Sequence, residues 1–227
     1  IPAGAALDCD TGAGANPNYW NNVTISGEWS VDYDGPDGTV YLGPSAVISG
    51  GIISFGSPSL NFSSGSRITS SSVWYGGNAP IPSFHYETNT FSISSWGNNT
   101  ETIAGPLTID GSLVLGQHTD NATITLDNSN NDDLWIGGDW TLDFNGNDTR
   151  VAQYTAGTET VYFNGTSEQT IGLEDTAGDF SRSPFYNVVI DNSGAAGDNA
   201  VVLGADVTVS NNLSVQNGIF NTGGHEL

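Results

Sequence analysis

The chain has no lysine, no methionine, a single cysteine and only three basic side chains, and each scarcity closes off a class of behaviour. Without a side-chain amine there is no Lys-Asn isopeptide cross-link and no lysine-based covalent polymerisation, so any assembly is expected to be noncovalent or metal-assisted. The basic residues Arg67, Arg150 and Arg182 stand against 25 acidic ones, for a formal net charge of -22. Nucleic acid and anionic membrane surfaces both need a basic footprint to exchange for counterions, which excludes them as expected partners and leaves cations as the natural counterparts. Cys9 has no second cysteine in the chain, so an internal disulfide framework is absent and Cys9 is a candidate for an intermolecular disulfide. No apolar run approaches the ~20 residues of a spanning helix, and nothing resembles a signal peptide; the chain reads as mature, soluble and not inserted in a membrane. Runs with a 3.6-residue apolar period are also missing, so helix content is expected to be very low.

What is present is the chemistry of strands and turns. Glycine (30 residues), serine, threonine, asparagine and aspartate punctuate short runs of valine, isoleucine, leucine and aromatic residues. Residues 1–19 read as a lead-in arm or capping segment, 20–104 as an aromatic-rich β region and 105–227 as a more regular repeat region. Five segments share one pattern of an apolar residue, a small or polar pair, then resumed alternation. They are Thr24-Ile25-Ser26-Gly27-Glu28-Trp29-Ser30-Val31, Ala46-Val47-Ile48-Ser49-Gly50-Gly51-Ile52-Ile53, Thr108-Ile109-Asp110-Gly111-Ser112-Leu113-Val114-Leu115, Trp135-Ile136-Gly137-Gly138-Asp139-Trp140-Thr141-Leu142 and Thr208-Val209-Ser210-Asn211-Asn212-Leu213-Ser214-Val215. The pair bends the chain and the next short strand again offers one apolar face. Ile48 follows Ile25 by 23 positions and Ile136 follows Ile109 by 27, which is the coil length of a solenoid with insertions at its corners.

The order Phe163-Asn164-Gly165-Thr166, Gln169-Thr170-Ile171, Phe185-Tyr186-Asn187-Val188, Val207-Thr208-Val209 and Gly218-Ile219-Phe220 resembles repeats of bacterial and archaeal adhesin-like surface proteins. The resemblance covers about residues 105 to 227. It implies an all-β, right-handed parallel β-helix with a role in surface display, adhesion or scaffolding. On that fold Ile109, Leu113, Ile136, Ile171, Val189, Val209 and Leu213 are expected to point inward. Alternation alone fits an antiparallel β-sandwich equally well, and that alternative stays open for the N-terminal half.

Candidate sites follow from oxygen-rich turns. Asp32, Asp34 and Asp37 lie around Gly35 and Gly38, and Asp143, Asn145, Asn147 and Asp148 alternate, an arrangement that suits a hard cation such as calcium. The second group begins like an EF-hand loop but has Asp148 where the turn glycine belongs and Tyr154 in place of the closing glutamate. Sequons at Asn22, Asn61, Asn98, Asn121, Asn147, Asn164 and Asn212 are candidate glycosylation sites. Trp20, Trp29, Trp74, Trp96, Trp135 and Trp140 suit either core packing or an exposed strip that stacks on glycans. Asp132 and Asp133 are adjacent carboxylates, yet His85, His118 and His225 fall in no motif with an orienting partner, and no nucleophile elbow, phosphate loop or zinc spacing occurs. The expected function is therefore non-enzymatic: an extracellular or cell-surface structural subunit that associates with copies of itself through β edges, with calcium as the expected cation. The alternatives are a carbohydrate-binding adhesin module or a β-helix polysaccharide-cleaving enzyme.

Overall fold

The structure is a computed structural model that describes residues 6–8, 18–20, 24–25, 28–31, 39–43, 46–55, 59–62, 66–76, 80–95, 97–117, 121–143, 151–173 and 183–227. The N-terminal coils contain β1 (Ala6–Asp8), β2 (Asn18–Trp20), β3 (Thr24–Ile25), β4 (Glu28–Val31), β5 (Thr39–Leu42), β6 (Val47–Phe55), β7 (Ser59–Phe62), β8 (Arg67–Tyr75) and β9 (Phe84–Ser95). There follow β10 (Asn99–Thr102), β11 (Leu107–Ile109), β12 (Ser112–Gln117), β13 (Thr123–Asn128), β14 (Leu134–Ile136), β15 (Trp140–Asp143), β16 (Val151–Ala156), β17 (Thr160–Phe163) and β18 (Gln169–Leu173). The last coils hold β19 (Phe185–Asp191), β20 (Ala200–Leu203), β21 (Val209–Asn217) and β22 (Ile219–Asn221).

Every pairing between these strands is parallel. Parallel neighbours need a crossover between them, and here the crossover is the rest of the coil, so the fold is a parallel β-helix. Strand β9 joins two arms of one sheet: residues 84–86 pair with β11 and residues 90–95 with β12. From there one arm runs β11-β14-β17-β19-β21 and the other β12-β15-β18-β20-β22, while β10-β13-β16 form a further sheet. The β-sandwich alternative for the N-terminal half does not hold, because β1, β3, β4, β6 and β8 stack in parallel in the same sheet. Pairing of β9 with both β8 and β11 carries that sheet past residue 104 without a break. Ala6–Asp8 lie in the lead-in and pair with β4 of their own chain.

Period-two alternation sorts each strand into an inner and an outer face. Strand β13 shows it cleanly, with Ile124, Leu126 and Asn128 buried and Thr123, Thr125 and Asp127 half-exposed. Register then stacks the inner residues into columns, such as Ile48, Ile68, Tyr86, Ile109, Ile136, Phe163 and Ile190. These residues belong to one apolar cluster. Aromatic rings fill its wider places: Tyr75 stacks on Phe91 at 6.4 Å, and Trp140 meets Tyr154 and Phe185 edge-on at 5.0 and 5.1 Å.

The expected inward set is reproduced at Ile109, Leu113, Ile136 and Ile171, which are buried, and at Val209 and Leu213, which are half-buried against the core. Val189 is buried as expected, but outside the apolar cluster: Phe185, Val188 and Ile190 enter that cluster, while Val189 pairs with Tyr162 and Ser214 beside it.

Coil corners are tied by side chains that take the backbone donors of the next coil. Asp133 Oδ1 accepts from Thr160 N at 2.8 Å, Asp139 Oδ1 from Thr170 N at 2.7 Å and Asn131 Oδ1 from Thr158 N at 2.7 Å. Much of the acidic and amide richness of the sequence is thus structural. One surface ion pair has a pH signature: Arg67 donates to both carboxylate oxygens of Glu87, and this bond, followed by one from Thr69, holds the Glu87 carboxyl below its ordinary value against the opposing effect of burial. Its stabilisation exists above the unfolded pKa of glutamate and fades as pH falls through the lower folded value. The pair is partly exposed, so Glu87→Gln is expected to lower the melting temperature by no more than a few degrees at neutral pH. In strong acid the wild-type and variant melting curves should coincide.

Candidate functional site

Of the expected cation ligands, Asp32, Asp34, Asp37, Asn145, Asn147 and Asp148 lie outside the described residues. Asp143 ends β15, half-buried and in register with Gly116 of the previous coil. Among the described residues no three His, Cys, Asp or Glu side chains converge as a metal cage. Cys9, Asn22 and Asn147 are likewise outside the described residues, and Asn61 is described only as backbone in β7. Asn98, Asn121, Asn164 and Asn212 are all exposed. Asn98 Oδ1 accepts from Thr123 N at 2.8 Å, so this sequon side chain also acts as a corner tie.

The adjacent carboxylates are built into the coil stack. Besides the Thr160 bond of Asp133, the Asp132 carbonyl accepts from the buried Asn128 Nδ2 at 2.8 Å. Burial, then the neighbouring Asp133 charge, raises the Asp132 carboxyl. Asn128 also donates to the Tyr154 hydroxyl at 3.0 Å, which donates to Glu159 Oε1 at 2.5 Å. Burial first and Glu159 second push the Tyr154 phenol far up, so it stays a neutral donor. A second inward node is Gln169: its Nε2 donates to the Ile136 and Gly138 carbonyls at 2.9 and 2.6 Å, and its Oε1 accepts from Gly165 N and Asn192 Nδ2 at 2.9 and 3.1 Å. These inward polar residues were missed in the sequence because asparagine, glutamine and glutamate in a glycine-rich segment look like turn residues.

In β21 and β22, Val215 continues the Ile190 column and is 50% exposed, Ile219 is 52% exposed, and Val209, Leu213 and Phe220 partly cover the core beneath them. The candidate site is on the outer face of β9, β11, β14, β17 and β19, where register aligns His85, Thr108, Trp135, Tyr162 and Val189. Trp135 and Tyr162 lie face to face, with centroids 5.1 Å apart and planes 4° from parallel. Beside them a cleft of about 280 Å³ opens between Thr108, Asp110, Asn164 and Thr166, with Gly137 in its lining. His85 Nε2 meets Asp110 Oδ1 at 2.6 Å on its rim. Of the other tryptophans, Trp140 is in the core, Trp74 is exposed, Trp20 and Trp29 are in β2 and β4, and Trp96 is outside the described residues.

No protein family matches the chain, and comparison with curated proteins and with solved structures likewise finds no significant match.

Proposed function

We propose that the chain is an extracellular structural subunit of a filament, sheath or surface layer, associating noncovalently with copies of itself and using calcium or other cations to offset its charge. The observation that carries this reading is the uninterrupted stack: one apolar cluster runs from Ala46 to Val207 through coils that present the same faces at strand spacing. Such a solenoid is a stiff rod, suited to spanning distance and presenting repeated surfaces. The resemblance of residues 105–227 to adhesin-like surface repeats supports the same role.

At a net charge of -22, subunits whose faces approach within the screening length of about 8 Å at physiological salt repel one another. Millimolar calcium or high salt is therefore expected to drive assembly into rods or sheets visible by electron microscopy, and chelation in low salt to reverse it. A chain that sediments as a monomer at high concentration with calcium present would contradict the proposal.

A further inference from the structure

The outer-face cleft carries a function that a rod does not need. Tyr162 covers one face of the Trp135 ring and fills the space of one strand spacing to do so. The opposite face looks over Thr108, whose short side chain leaves the equivalent space on that side open. The next large side chain in the row is His85, two strand spacings or about 9.6 Å from Trp135. Thr108, the register partner of Trp135 on this side, also lines the cleft at the coil corner, where Gly137 contributes no side chain, so slot and cleft adjoin.

The polar groups around this slot are complementary to a ring carrying several hydroxyls. Asp110 is half-exposed, and since Oδ1 is the oxygen that meets His85, Oδ2 is a further acceptor. Asn164 is exposed; its backbone N–H is bound to the Ile136 carbonyl, which leaves the carboxamide to both donate and accept. Thr108 and Thr166 add hydroxyls. A flat apolar face next to a carboxylate, a carboxamide and two hydroxyls matches a pyranose, whose C–H face packs on an aromatic ring while its edge makes hydrogen bonds. The net charge of -22 disfavours anionic ligands.

We propose that the open face of Trp135 and the adjoining cleft lined by Thr108, Asp110, Gly137, Asn164 and Thr166 together bind a neutral hexopyranose unit of a glycan. The role is independent of self-association, and it makes two uses of Asn164 exclusive: a glycan attached to that sequon would fill the cleft.

The test uses the full chain with neutral oligosaccharides of glucose, mannose, galactose and N-acetylglucosamine, and oligogalacturonate as the anionic control. Binding is read by titration calorimetry and by the indole N–H signal of Trp135 in NMR. At least one neutral series is expected to bind saturably and shift that signal. Trp135→Ala and Asn164→Ala should each weaken binding about ten-fold or more, with Trp74→Ala unchanged. If Trp135→Ala does not fold, Thr108→Trp, which fills the slot, and Asn164→Ala decide the matter. The proposal is overturned if no neutral probe binds, if only oligogalacturonate binds, if binding survives the cleft substitutions, or if mass spectrometry finds Asn164 of the native protein glycosylated.

Discussion

Gln169→Glu is expected to destabilise the protein by about 4 kcal/mol or more at neutral pH, although it replaces one atom. The native carboxamide gives two hydrogens to the carbonyls of Ile136 and Gly138 and is 0% exposed. A carboxylate has no hydrogen to give, so the Gly138 carbonyl loses its Gln169 donor, at about 1–3 kcal/mol, the Ile136 carbonyl keeps only its bond from Asn164 N, and a charge is buried against both oxygens. That environment disfavours the charged form, raising the folded pKa of the new carboxyl above its unfolded value of about 4.3. Below the unfolded value both states are protonated and the charge penalty is absent; it grows as pH rises toward the folded value and is complete above it. Denaturant melts from about pH 4 to 8 should show the variant converging on wild type in acid. Equal stability of the two proteins at neutral pH would mean that Gln169 is not the node described.

Gly137→Ala is expected to cost about 3 kcal/mol, a fall in melting temperature of roughly 6–12 °C for a chain of this size. A Cβ at Gly137 would collide with the backbone oxygen of Asp110 in the coil below, and lie 2.8 Å from its carbonyl carbon. The obstacle is backbone on both sides, since the Gly137 carbonyl in turn sits where a Cβ on Gly165 would be. No rotamer relieves such a contact, so the coils must separate. Gly97→Ala is the control: a Cβ there meets nothing within 4 Å, and its stability should be close to wild type. Calorimetric melting of the two variants side by side distinguishes a packing requirement for glycine from a general preference.

The coil lengths were legible in the sequence at the strongest repeats. Ile25 pairs with Ile48 and Ile109 with Ile136, as the spacings of 23 and 27 require. Strand direction was not legible in the N-terminal half, because a strand with one buried face alternates in the same way whether its neighbour is parallel or antiparallel. The burial of Val189 was legible, but not its place beside Tyr162 and outside the apolar cluster, in a strand pair whose register shifts twice. Of the candidate site, Trp135 stood out in the sequence as a ring that could stack on glycans and Asn164 as a sequon. Thr108, Asp110, Gly137, Asn164 and Thr166 come from three successive coils, and register alone brings them together.

The direction of the ladder bonds has a mechanical consequence. In a stack of coils the hydrogen bonds between strands point along the rod, so a pull on its two ends loads successive coils in series rather than shearing them together. The outermost coil carries the whole force on its own few bonds and peels first, then the next. Stretching should therefore give a train of small rupture events, spaced by the lengths of the individual coils, instead of one high-force break. Crosswise force meets the continuous core and the corner ties at once, which makes the rod compliant lengthwise at its ends and resistant to bending between them.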